Sequence, residues 1–454
     1  MEPCTTAISR YETSPESLAS LVNGCDGLAG FRSGDRVFIK PNLVALDEGF
    51  PMPLYGVLTT TRLVQDMVIL LKEHGVASIT IGEGSVYGRN FGVPTGRIFD
   101  ALGYRELEKQ YGVRLLDLHE APFSKVDFQA FSLEISEPAL SADRFINMPV
   151  MKTHNQAMVS FGLKNLKGCL SMKSRKFCHS ADGSLDQYLA RFVEALKPSL
   201  TVLDGIYGLE KGPFYAGNAV RMNVLVGSRD PLCADVAGAA VAGFDPASIP
   251  HIRLCAERRG GSTDPADLDL AGIPIADVQR RLKWDHTWRE DDTGPRAWDR
   301  LGIRGVRLPK YDATLCTGCS GIYSPILVMV MAAYRGRPFD EVEILTGKAA
   351  SPSGNAKRTL LVGNCMIKAN RRSPRIREAV LVEGCPPDLE TLVKGLKALG
   401  VEADLTALTP FQQGLAGRYE GKPDFDKGLF AVSQQSSIAG DTRPSQAGVP
   451  GRVK

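Results

Sequence analysis

No stretch of this sequence is apolar for the length a membrane span requires, about 20 residues; the apolar run Ile326 to Tyr334 is far too short. The opening MEPCTTAISRYETSPES has no charged start followed by an apolar core, so no secretory leader is expected. These absences predict a cytoplasmic protein with no membrane partner. Net charge is only +3, too small for a global field that would draw nucleic acid, so no nucleic-acid partner is expected and any basic function must be local. The glycines Gly82, Gly84 and Gly88 lack dinucleotide-binding spacing, which argues against a nicotinamide site. The run TGKAASPSGNAKRT between Leu345 and Leu360 lacks the Walker spacing and reads as a surface loop. No internal repeat is apparent.

What is present is enough for a sizeable core. The chain has 454 residues, 43% of them apolar, which suits two or three domains. Asp35 to Lys40 reads as a buried strand, Thr60 to His74 as a helix closed by Gly75, and Ala77 to Ile81 as the next strand. A further helix and the strand Val113 to Asp117 continue the alternation. This pattern predicts an α/β fold: a mostly parallel, doubly wound sheet over residues 1–300, with a smaller C-terminal α/β cysteine-containing domain over 301–415 and a disordered tail over 416–454. Ligands of such sheets bind at the carboxyl ends of strands, where Lys40, Asn42, Glu83 and Asp204 fall. Asp230 precedes a helix and reads as its N-cap.

The polar stretch after the strand Arg144 to Val150 is one-signed. Lys152 to His179 contains six Lys or Arg, two His and no Asp or Glu. A solvated surface usually alternates signs, so this segment suits an anion; a basic loop facing water is the plainer alternative. Lys152, His154, Lys164 and Lys167 are its candidate residues. His154 would donate or accept a proton near neutral pH, and the lysines would hold a small anionic substrate.

Four of the ten cysteines lie in the second unit. Cys316 and Cys319 form Cys-Thr-Gly-Cys. Cys365 follows the strand Thr359 to Val362 in Gly-Asn-Cys, and Cys385 follows the strand Ala379 to Val382 in Glu-Gly-Cys-Pro-Pro. The intervening MIKANRRSPRIRE is long enough for a crossover, which would bring both cysteines to one sheet edge. A [4Fe-4S] cluster is the favoured occupant because single cysteines in glycine-containing loops, one followed by Pro, suit cluster ligation. Zinc and free or redox thiols remain as alternatives. The other six cysteines read as small buried apolar residues.

Several stretches resemble the family of "domain of unknown function 362": Val37-Phe38-Ile39-Lys40-Pro41-Asn42-Leu43, Ile81-Gly82-Glu83-Gly84-Ser85, Asn147-Met148-Pro149-Val150-Met151-Lys152-Thr153-His154, Gly162-Leu163-Lys164-Asn165-Leu166-Lys167-Gly168 and Val202-Leu203-Asp204-Gly205-Ile206. The resemblance implies an α/β fold and, as in many relatives, an attached iron–sulfur module. Relatives often space the cysteines closely, whereas here they spread over about 70 residues. The family's fold is similar to that of lactate racemase, where a His and a Lys ten positions on hold a nickel-pincer nucleotide; His154 and Lys164 have that spacing, though this cofactor is the one the sequence favours least. The expectation is therefore an iron–sulfur oxidoreductase or electron-transfer protein, served by an electron-donor protein. A carboxylate racemase or isomerase and an iron–sulfur scaffold protein are the alternatives.

Overall fold

Successive residues of the strand Arg36–Pro41 face opposite sides of a sheet, and both sides are covered. Val37 and Ile39 pack with Leu18, Leu63, Met67 and Leu71 from the helices Glu16–Gly24 and Thr61–His74. Phe38 packs the other way, with Phe145, Leu189 and Phe192. Farther along the sheet Leu203, Val224 and Val226 meet the helices Pro231–Val241 and Pro250–Arg259. A strand apolar on both faces needs helices on both faces, which is the doubly wound arrangement. The computed structural model describes residues 5–46, 52–86, 94–180, 185–214 and 216–434.

The main sheet runs Leu270–Gly272, Thr6–Arg10, Asn218–Ser228, Leu200–Glu210, Arg144–Met148, Arg36–Pro41, Ser78–Glu83, Arg114–Asp117. Along this path Asn218–Ser228 runs against its two neighbours; the other pairings are parallel. The expected strand Arg144 to Val150 is two strands, Arg144–Met148 and Val150–His154, separated by Pro149, which has no N–H to give to a ladder. Val150–His154 also pairs with Met158–Ser160 in a hairpin. Lys152 and His154 therefore stand on a strand rather than in the polar turn the sequence suggested. Turn residues follow at 155–157.

A second sheet carries the cysteines. Val306–Arg307, Val342–Leu345, Arg358–Val362 and Glu378–Val382 are all parallel. Helices Thr317–Ala333 and Leu389–Leu399 cover one face through Ile322, Ile326, Leu392 and Leu396. The helix Asn364–Asn370 covers the other through Met366 and Ile367. This unit begins before residue 301, because Trp298 is fully buried in its core.

The chain after residue 416 is not a tail throughout. Tyr419 and Phe430 are buried in the core of the first unit, and Phe425 stacks on Tyr207. The Asp426 amide donates to the Tyr207 hydroxyl at 2.9 Å, and the Gln65 side chain donates to the Ser433 carbonyl at 2.9 Å. The aromatics at 419, 425 and 430 outweigh the polar composition that had suggested disorder. Residues 435–454, the rest of the expected tail, lie outside the described residues. Replacing Phe430 by Ala is expected to destabilise the protein by about 3 kcal/mol, as a cavity in a packed core does. Chemical denaturation of the full chain measures this, and an unchanged midpoint would show that the segment is not part of the core.

Candidate functional site

A cavity of about 470 Å³ opens at the carboxyl ends of the central strands. One wall comes from the first unit and contains Lys40, Asn42, Glu83, Lys152, His154, Lys164 and Lys167. The facing wall is the helix Thr317–Ala333, whose Thr317, Ser320, Tyr323, Ser324, Leu327, Val328 and Met331 line the space. The stretch read from sequence as a linker supplies His286, Trp288, Pro295 and Ala297. Their signal lay in aromatic residues set in an otherwise charged stretch. This volume is in the range of cavities that enclose a small molecule.

Lys40 and Glu83 do not present free charges to a substrate. The Lys40 ammonium donates to both Glu83 oxygens, at 2.9 and 3.0 Å, and to the Pro41 carbonyl at 2.9 Å. Glu83 also accepts the backbone N–H groups of Leu43 and Gly84. Both side chains are almost wholly buried, so the pair neutralises itself inside the protein. Gly168 closes over it: a Cβ there would stand 2.5 Å from Lys40 Nζ and 2.7 Å from Glu83 Oε1. Only glycine admits this approach, which accounts for the end of the Lys164-Asn165-Leu166-Lys167-Gly168 run. Asn42 accepts from Lys152 Nζ at 2.6 Å and donates to Asn165 at 3.1 Å, so it orients lysine and helix.

Asp204 is not part of the cavity. It lies inside the strand Leu200–Glu210, which continues past the expected end, and its carboxylate accepts the Thr60 and Ile206 amides at 2.6 and 3.0 Å. It ties the start of the helix Thr61–His74 to the sheet. Asp235, not singled out from sequence, has a closer bearing on the site. It accepts the amides of Gly162 and Leu163 at 2.6 and 2.9 Å and fixes the short helix Gly162–Asn165 that carries Lys164. Asp230 caps Pro231–Val241 by accepting the Leu232 amide, as its position before a helix indicated.

The remaining basic groups crowd one another. Burial, together with Lys40, lowers Lys152 to about 7. Burial and its lysine neighbours hold Lys164 well below the usual lysine range, and burial brings Lys167 down to about 8. Lys164 and Lys167 each keep part of the side chain open toward the cavity. The Lys164 side chain makes no hydrogen bond among the described residues, although its carbonyl accepts the Leu166 amide. His154 is pushed well below 6.5 by burial first and then by Lys164, Lys167 and Lys152. Its Nδ1 accepts the Gln156 amide at 3.1 Å, so the neutral ring carries its proton on Nε2. His179 has the opposite tautomer: Nδ1 must donate to the Ala313 carbonyl at 2.7 Å, which leaves Nε2 to accept from Lys167 Nζ at 2.6 Å. Both imidazoles are thus neutral at physiological pH. The sequence reading of His154 as a proton shuttle near pH 7 gives way to a neutral hydrogen-bond donor.

The cysteines converge on the edge that packs against this cationic segment. Cys365 and Cys385 follow parallel neighbouring strands and are both exposed. Cys316 caps the helix Thr317–Ala333 and is buried, with Cys319 one turn on. A hydrogen bond with Cys319, helped by the Gly318 and Cys319 amides, lowers the Cys316 thiol, while that bond, burial and the other three cysteines raise Cys319. A Cβ on Gly363 would come 3.4 Å from Cys319 Sγ, and one on Gly384, at φ 135°, would strike Pro387. Among the described residues no three His, Cys, Asp or Glu are gathered tightly enough for a single metal ion. Zinc, with sulfur ligands about 2.3 Å from the metal, requires that gathering; a cubane is larger and holds its thiolates farther apart. Cys319 lies within electrostatic reach of Cys316, Cys365 and Cys385, a donor set of four thiols that a cluster would use. Of the other cysteines Cys25, Cys169, Cys178 and Cys255 are buried and Cys233 is partly so; Cys4 lies outside the described residues.

Contacts join the two regions. Lys176 Nζ lies 3.4 Å from the Cys385 carbonyl and 3.7 Å from its sulfur. The Lys348 side chain donates to the carbonyls of Lys176 and His179, so the loop after Leu345 is tied to the cationic segment.

Residues 37–240 match the model of the family described as Domain of unknown function (DUF362). This stretch of the chain is similar to DUF362. The cationic wall and the Lys40–Glu83 pair lie within that match. The chain is 29% identical over 259 residues to a thylakoid-associated protein of Synechocystis sp., covering 56% of this chain and 77% of that relative. Two solved structures are similar at low level: the lactate racemase apoprotein from Thermoanaerobacterium thermosaccharolyticum (TM-score 0.37, 15% identity, 53% of this chain) and a Thermotoga maritima protein (TM-score 0.32, 11% identity, 55% of this chain). The chain spans 58% and 60% of those two proteins, less than two thirds of either. Among the described residues no helix is long and apolar enough to cross a membrane.

Two expectations follow for this site. Glu83→Gln strands a buried ammonium and should cost about 3 kcal/mol or more, read by denaturant unfolding; a neutral result would mean that Lys40 reaches water. Anion affinity should fall as pH rises from about 6 to about 9, because Lys152, at about 7, and Lys167, at about 8, lose protons over that window while the histidines stay neutral throughout. Calorimetry in buffers of differing ionisation enthalpy should show proton uptake on binding. Affinity independent of pH would remove these lysines from the anion site.

Proposed function

We propose that the protein is an iron–sulfur oxidoreductase that acts on a small anionic substrate held in the cavity. The observation that carries this reading is shared construction. The helix Thr317–Ala333 begins at Cys316 and lines the cavity along its length, and the Cys316 thiolate acts electrostatically on Lys167. A [4Fe-4S] cluster on Cys316, Cys319, Cys365 and Cys385 would supply single electrons beside the cavity.

The chain's own residues do the rest. Lys164 has no competing hydrogen bond and receives the anion. Lys167, steadied by His179 Nε2, offers its remaining N–H groups to the same charge. Lys152 is spent on Asn42 and on the Val57 carbonyl, so it orients the wall more than it binds. Neutral His154 has its proton on Nε2 and can donate a hydrogen bond to a substrate oxygen as negative charge develops there. That role suits reduction better than proton abstraction, which makes the racemase reading weaker. An electron-donor protein would approach the exposed Cys365 and Cys385. Lys368, Arg371 and Arg372 are exposed around Asn364 and Glu383, the neighbours of these cysteines, and make no ion pair among the described residues, which suits an acidic donor.

Anaerobically purified protein should contain iron and acid-labile sulfide and absorb near 400 nm, a broad cluster band. Cys385→Ser should lose iron. His154→Ala should keep fold and iron while turnover drops roughly hundredfold or more. Protein free of iron and sulfide after anaerobic preparation would overturn the redox assignment. Full activity in the His154 variant would remove His154 from the catalytic machinery, and an effect in neither His154→Ala nor Lys164→Ala would move the assignment toward a scaffold.

A further inference from the structure

The two walls of the cavity differ in chemistry, and the difference defines the ligand further. The first unit offers Lys152, His154, Lys164, Lys167, Arg175 and His179. Among the described lining residues Glu83 is the one carboxylate, and Lys40 holds both its oxygens. Apart from the hydroxyls of Thr317, Ser320 and Ser324, the opposing surface is apolar and aromatic: Trp288, Tyr323, Leu327, Val328 and Met331. Trp288 and Tyr323 have their polar atoms engaged elsewhere, with Trp288 Nε1 donating to the Leu308 carbonyl at 3.2 Å and the Tyr323 hydroxyl to the Pro309 carbonyl at 2.8 Å. They show a ligand their ring surfaces. Met331, at the end of this wall, is 39% exposed, and Leu327 and Val328 are partly exposed. Apolar surface left open beside a concentrated cationic wall is costly in water unless a ligand covers it.

We infer that the cavity takes an amphiphilic anion: a carboxylate or similar head against Lys164 and Lys167, and an aliphatic or aromatic body along the face of Thr317–Ala333. This rests on the anion site proposed above and deepens it, since a bare small anion would leave the second wall uncovered. It also assigns substrate selection to the helix that starts at Cys316, so the element that carries two of the cysteines selects the apolar body.

The test uses linear carboxylates on the full-length protein, with binding read by calorimetry and by Trp fluorescence. Octanoate should bind on the order of tenfold tighter than hexanoate, the gain from burying two methylenes. Octanol and octylamine should bind far more weakly than octanoate. Val328→Trp should abolish the chain-length gain and leave hexanoate binding nearly unchanged. Met331→Glu, at an already exposed position, provides the same reading if the Trp variant fails to fold, because a carboxylate there opposes an apolar body. Equal affinity for hexanoate and octanoate would overturn the apolar half of the inference, and octanol binding as well as octanoate would overturn the anionic half. A chain-length gain in protein free of iron would leave this inference standing while the redox assignment fell. A flat series in iron-loaded protein would do the reverse.

Discussion

The Lys40–Glu83 ion pair sets the character of the site. It lies at the carboxyl ends of two neighbouring parallel strands, with Gly168 closed over it. By taking both oxygens of Glu83, Lys40 removes the one carboxylate that the described cavity walls contain. The cations beyond it are held down first by burial and lower one another's proton affinity, against a smaller pull from Glu83 on Lys152 and from Asp186 on Lys164. A bound anion would relieve that repulsion, which would link binding energy to proton uptake in this wall. The burden falls on the fold: a sheet edge that holds several buried lysines and one already paired acid must be stabilised elsewhere, and the two cores on either side of the strands do this.

The neutral histidines follow from the same crowding. His154 and His179 sit among lysines, and protonating either would add a further positive charge in a confined space. Their tautomers are fixed by backbone partners, Gln156 N–H for one and the Ala313 carbonyl for the other. Ala313 lies just before Cys316, so the His179 contact joins the cationic segment to the cysteine edge. Lys167 stands at the junction, hydrogen-bonded to His179 and within electrostatic reach of Cys316. The cysteine edge and the cavity wall are thereby placed on one connected structure.

Much of this was legible from residue types and their order. The strands before Asn42 and Glu83, and the parallel strands before Cys365 and Cys385, follow from apolar runs that stop at polar or glycine residues. The one-signed segment from Lys152 to His179 marked the wall. What sequence could not show was which charges would be spent on each other. Lys40 and Glu83 are 43 residues apart and pair across neighbouring strands. Asp204 resembled a strand-end ligand because Gly205 follows it, yet the strand runs on through an irregular register to Glu210. Asp235 sits within a helix and acts on another helix start, 73 residues away. His286 and Trp288 were hidden in a charged stretch whose path is defined by contacts far along the chain, such as the burial of Trp298 and the Trp288–Leu308 hydrogen bond. The aromatics at 419, 425 and 430 lie too far from Tyr55 and Tyr207 in sequence for composition to foretell their stacking.

The central claim is that the cysteine edge and the cationic cavity are one site. The most direct measurement is the reduction potential of anaerobically prepared protein, followed by electron paramagnetic resonance, with and without a saturating carboxylate. A negative charge placed beside a cluster disfavours adding an electron. The account predicts a lower potential and an altered reduced-state spectrum in the presence of the anion, both lost in Lys164→Ala. A potential and spectrum unchanged by an anion that demonstrably binds would contradict it.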